Sequence, residues 1–324
     1  MFRLGDAGNH IWKPDGKESV MKKFMNLTRR NCLVFLRDRG AVFFSLLSML
    51  IVLMLMGIFL GNMNEENVVN LLKEYGGVRD VPKDEAHARE LVQYWTLAGI
   101  LVVNAVTVTL TVVGSRVADV SEGRLSSLYS APVSRGLIAL SYVASAVVIG
   151  ILMCILTLGI ALCYIAAAGG TLLSPGALGR IFLLIILNVC VFAVIMYFFA
   201  LFVKSSSAWS GIATVVGTLV GFVGAIYLPM GSLPTGVASV LKYIPVLHGA
   251  SLMRRACCGQ ALKTTFAGTP KELLTEYSEY MGIQVKMGEK AADSFFQALF
   301  LTACGIIAFI LIVLVQKRKD ISDR

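Results

Sequence analysis

Six long apolar runs without a single Asp, Glu, Lys, Arg or His constrain this chain more than any other feature. They occupy residues 41–60, 94–114, 137–168, 181–203, 208–228 and 295–315. A helix rises 1.5 Å per residue, so roughly 20 apolar residues cross the hydrocarbon core of a bilayer. Each run predicts one such helix, and residues 137–168 are numerous enough to tilt, or to project beyond the lipid as well. The expected fold is an all-α polytopic membrane protein with six transmembrane helices. Composition agrees. The chain is 56% hydrophobic and 15% charged, whereas a soluble domain has roughly 45–50% apolar and about 25% charged residues.

Charge sets the expected orientation. The net charge is +9, but no basic face with interleaved aromatics appears, so nucleic acid is not an expected partner. The basic residues instead flank the spans. Nine Lys and Arg lie in the first forty residues, and "QKRK" follows the last run. An even number of spans puts both termini on one side, and the Lys/Arg excess makes that side cytoplasmic. Residues 61–93 hold four basic and seven acidic residues, as expected outside. Residues 229–294 hold seven basic ones, but loops this long translocate largely regardless of charge. The expected location is the cytoplasmic membrane, in a bacterial cell judging from the compact layout.

Other classes find little support. The seven cysteines show no CxxC or Cys/His spacing, so neither a zinc site nor a disulfide framework is indicated. GxxxxGK[ST], GxSxG and HExxH are all absent. His10, His87 and His248 fall in different segments; His248 reads as a satisfied interfacial side chain or as a ligand. No catalytic residue is assigned. Spans free of ionisable groups argue against a proton relay, although Asn104, Asn188 and hydroxyl groups could hold sodium.

The stretch "DVSEGRLSSLYSAPVSRG", residues 119–136, interrupts the apolar pattern. Asp119 and Glu122 have the spacing of a capping box, and acids suit a helix N-terminus. Leu125, Leu128 and Tyr129 form one narrow apolar face. Pro132 stops the helix, and Ser134 caps the next one with Arg135 beside it. The product is a short amphipathic helix on the cytoplasmic side, either resting on headgroups or offering a docking surface.

This stretch resembles the cytoplasmic loop of type-2 ABC exporter permeases. Asp119, Glu122, Gly123, Leu125, Leu128, Pro132, Ser134 and Arg135 match that pattern, with Arg124 inside it. Glu122 departs from the commonest form by directly preceding Gly123. "RRNCLVFLRDRGAVFF" is similar to the family's amphipathic N-terminal interface helix and contributes Arg29, Arg30, Arg37, Asp38 and Arg39. "LPMGSLPTGVASVLKYIPVLHGASLMRR" is similar to the extracellular return between spans five and six, with Pro234, Pro245 and Arg254 or Arg255 in place. The resemblance covers the chain from about residue 21. It implies a coupling helix between spans two and three, and short re-entrant or surface helices between spans five and six. It further implies pairing into a homodimer, or with a related permease, and a separate cytoplasmic ATPase that binds ATP and magnesium. This chain would bind no cofactor itself. Apolar walls suit a hydrophobic or amphipathic cargo, a drug or a lipid. A stand-alone carrier or channel needing no ATP is the alternative.

Other candidates have two readings each. Asn104, Thr107, Thr111 and Asn188 either help helices pack by hydrogen bonds or line a substrate path. Gly217 and Gly221 form a GxxxG pair, for packing within one subunit or for a dimer seam. Residues 1–20 match nothing in the resemblance and read as a flexible segment before one transmembrane domain, residues 21–324; translation starts at Met1 or Met21.

Overall fold

The computed structural model describes residues 19–55, 61–75, 80–130, 133–288 and 290–322. The first eighteen residues and Pro132 lie outside them. The described residues form twelve α-helices, a single 3-10 turn and a two-residue β-hairpin pairing Lys286–Met287 with Lys290–Ala291.

Helix α1 (Val20–Arg37) starts where the Ser19 hydroxyl accepts the Lys22 amide at 3.3 Å. Asp38 ends it and starts the next: its carboxylate accepts the Ala41 amide at 2.9 Å, capping α2 (Arg39–Leu55). The first apolar run is thus helical through Leu55, and its last five residues lie outside the described ones. Helix α3 (Gly61–Tyr75) precedes the long helix α4 (Val81–Ser121). At 41 residues, α4 is about 60 Å long, twice a hydrocarbon core. It extends well past both ends of the apolar run that predicted it. Then follow α5 (Arg124–Ser130), α6 (Arg135–Ala167), α7 (Pro175–Ala200) and α8 (Ser206–Val223). The return holds α9 (Thr235–Leu241), α10 (Pro245–Thr265) and α11 (Lys271–Tyr280), and α12 (Ser294–Ser322) closes the chain.

Helices α4, α6, α7, α8 and α12 are long and apolar enough to span a bilayer. The pair α9–α10, bent by 86°, makes a broken span or a re-entrant loop. This is an all-α polytopic membrane protein. Its axis is α4: the most apolar stretch of α4 is 83% buried within the chain, against 17% for α8 and 22% for α12. The outer helices therefore leave apolar faces to lipid, where burial by protein is not required.

Another boundary differs from expectation. Helix α8 stops at Val223, not at residue 228, because Gly224 caps it and Ala225 takes a positive φ of 50°. Of the two alternatives expected for the return, re-entrant or surface helices, α10 is not the surface one. His248, Ser251 and Arg254 on it are fully buried, and it packs against α4, α7 and α12.

Candidate functional site

The site lies where α4 leaves its apolar run. The sequence predicts Asp119 as the cap of a short helix; instead it sits in the last turn of α4, and Glu122 is the C-cap of that helix. Gly123 then reverses the chain at φ +73°, a conformation L side chains rarely adopt. Only after it does α5 begin. The capping box fails because helix propagation from α4 simply continues through Asp119.

Asp119 has a different role. Its side chain is 3% exposed and gathers three partners. Arg30 of α1 donates to both carboxylate oxygens, at 2.5 and 3.1 Å. Arg124 donates through Nε at 2.8 Å, and the Tyr142 hydroxyl of α6 donates at 2.5 Å. The two-pronged Arg30 contact is the strong form of a guanidinium–carboxylate pair. The hydrogen bond to Asp119 raises the pKa of Arg30, although burial acts the other way. Beside it, the Asn31 amide donates to Ser141 Oγ at 3.3 Å. One carboxylate thus fastens α1, α4, α5 and α6 together.

The neighbouring ends are tied in too. Arg116, buried in α4, donates to the Ala200 carbonyl at the C-terminus of α7, a favourable place for a cation. The Ser121 and Ser206 hydroxyls meet at 2.7 Å, joining α4 to the start of α8. Ser134 caps α6 as expected, accepting the Leu137 amide at 3.3 Å. Arg135 lies over the Tyr129 ring, 4.8 Å from its centre.

On α5, Leu125 is buried and Leu128 half-buried, whereas Tyr129 is 41% exposed. Glu122, Ser126, Ser127 and Ser130 face outward. The helix is a ledge with an apolar underside and a hydroxyl-rich outer face. Arg29, Arg37 and Arg39 are likewise exposed, so α1 and α2 present a basic surface of their own. Arg30 is the exception, turned inward to Asp119.

The other candidates are scattered. Asn104 donates to Thr157 Oγ1 at 2.6 Å. Thr107 and Thr111 bond carbonyls four residues back in their own helix. Asn188 bonds the Leu184 carbonyl. A Cβ on Gly221 would meet the Tyr227 ring at 2.2 Å, so that glycine serves a close approach inside this chain; Gly217 faces open space. At the far end of α4, Pro234 precedes α9 and Pro245 begins α10. Arg254 donates to the Ala225 carbonyl at 2.5 Å and to Gly282 at 3.2 Å, with Trp95 stacked 4.7 Å away. Arg255 binds Ile283, Ala292 and Ser294. Both arginines hold the return in place.

Sequence reasoning missed Tyr142, Arg116 and Trp95. Arg116 had a readable signal, being the first charge after an apolar run; Tyr142 and Trp95, inside such runs, had none.

Residues 75–315 match the family described as ABC-2 family transporter protein. The chain belongs to the ABC-2 transporter family. The match runs from the end of α3 to α12 and includes the whole ledge, while α1 with Arg30 precedes it. No curated protein matches the chain. ABC-2 permeases are membrane subunits that work with an ATP-binding subunit, and this permease is accordingly a multi-pass membrane protein.

Proposed function

We propose that this permease is the membrane subunit of an ATP-driven exporter. A separate cytoplasmic ATPase docks on α5 and the neighbouring basic face of α1, with both chain termini on that side. The observation that carries this reading is the Asp119 node. A push on α5 or α1 cannot remain local, because one buried carboxylate joins both to the α4 axis and to α6. Alternating access would follow from rocking these helices together. The uncharged runs favour a hydrophobic or amphipathic cargo. The exposed apolar faces of α8 and α12 favour work as a dimer, with lipid or a second permease against them.

The test is uncoupling. Gly123→Val forces a branched side chain into a left-handed conformation, at a cost of about 1–2 kcal/mol, and re-aims α5. Expected is wild-type membrane insertion, with ATP hydrolysis by the co-expressed ATPase no longer answering to cargo. Leu128→Asp, which lifts the ledge from its underside, should do the same. Unaltered export in both variants would contradict the reading, as would cargo flux in vesicles holding this chain alone.

A further inference from the structure

Helix α1 turns one side to the bundle, through the buried Asn31 and Phe35, and sends Arg30 to Asp119. The ledge makes no use of the rest of its surface. The helix holds five basic residues and no acidic one. At 3.6 residues per turn, Met21, Met25 and Leu36 share one stripe, and Lys22 and Arg29 lie on the stripe beside it. All five are exposed, Met21 to 65% and Met25 to 62%. The apolar exposure runs on into α2, where Phe43 and Phe44 are 59% and 66% exposed. Only Asp38 separates the two helices, and α2 is the first apolar run. An apolar stripe joined to such a run, with a cationic stripe beside it, suits a helix lying in the bilayer interface. Apolar contact alone would accept any lipid. The one-signed charge adds a choice, since each Lys or Arg near an anionic membrane surface favours it about fivefold.

We propose that α1 binds anionic phospholipid in the leaflet on the ledge side. The acyl chains would lie against Met21, Met25 and Leu36, and the phosphate would accept from Lys22 and Arg29. This stripe lies on a different side of α1 from Arg30 and needs no ATPase. Arg37 and Arg39 are left to the docking proposed above.

Met25→Trp puts an indole on the apolar stripe, where brominated acyl chains quench it on contact. The full chain is reconstituted in mixed phosphatidylcholine and phosphatidylglycerol vesicles, with one lipid or the other brominated. The signal of the wild type, which has three tryptophans, is subtracted. Phosphatidylglycerol is expected to be preferred at the added indole about fivefold or more, and the preference should fade in high salt. Adding Lys22→Gln and Arg29→Gln should bring the ratio to about one. Lys263→Gln with Lys271→Gln, exposed cations outside α1, should leave it unchanged. An added indole that neither lipid quenches overturns the lipid contact. Equal quenching by the two lipids, or a preference that survives Lys22→Gln with Arg29→Gln, overturns the choice of anionic lipid. Should Met25→Trp not fold, native mass spectrometry of the wild type gives the second measure. Phosphatidylglycerol retained from an equal mixture should exceed phosphatidylcholine, and the excess should fall in the Lys22→Gln, Arg29→Gln variant; no excess overturns the proposal.

Discussion

Asp119 concentrates more of the structure than any other single residue at the ledge. Its carboxylate is buried, so the loss of its charge leaves several donors without their acceptor. Asp119→Asn should lower stability by about 1–3 kcal/mol, read from thermal unfolding in detergent. The two arginines should not be equal. Arg30→Ala removes a two-pronged, half-buried contact, while Arg124 is 50% exposed and its loss should cost less than about 1 kcal/mol. Equal effects would mean that the bidentate pairing is not what holds α1. At the other end, Arg254→Lys keeps the charge but loses the fork that reaches Ala225 and Gly282. About 1–3 kcal/mol of destabilisation is expected from the carbonyls left unpaired. Individually, Arg30, Asp119 and Arg124 stood out in the sequence. That they meet did not, because Arg30 and Asp119 are 89 residues apart and no local pattern encodes a contact at that distance.

At the scale of the element, Gly217 and Gly221 in α8 look alike in sequence and differ in place. Gly221→Ala drives a methyl into the Tyr227 ring and should destabilise the chain by about 1–3 kcal/mol. Gly217→Ala meets nothing within 4 Å. It should leave the unfolding temperature unchanged, and a fall in dimer content by cross-linking would mark α8 as the seam. The helices were largely legible, since an uncharged run of twenty residues has few alternatives to a span. Their ends were less so. The α4 helix runs on through charged residues at both ends because nothing in "SRVADVSE" breaks a helix before Gly123. The α10 helix was harder still. The sequence left re-entrant and surface helices open for it, and Arg254 is buried by bonding backbone carbonyls of neighbouring loops. Helix hydropathy does not register that kind of satisfaction.

The whole permease is a bundle around one helix with two differently built ends. One end carries the Asp119 node and the ledge; the other carries the buried α10 and its two arginines. The two ends share one continuous helix, α4. The family match covers this axis and the ledge, from residue 75 to residue 315. The central claim is that the ATPase sits on that ledge. A photo-crosslinking side chain at Ser126 on α5, compared with one at Glu66 on α3, tests it most directly. The account predicts a light-dependent adduct from position 126 that mass spectrometry identifies as an ATP-binding subunit, and none from position 66. An adduct to that subunit from position 66, or its absence from position 126 in cells that export cargo, would contradict it.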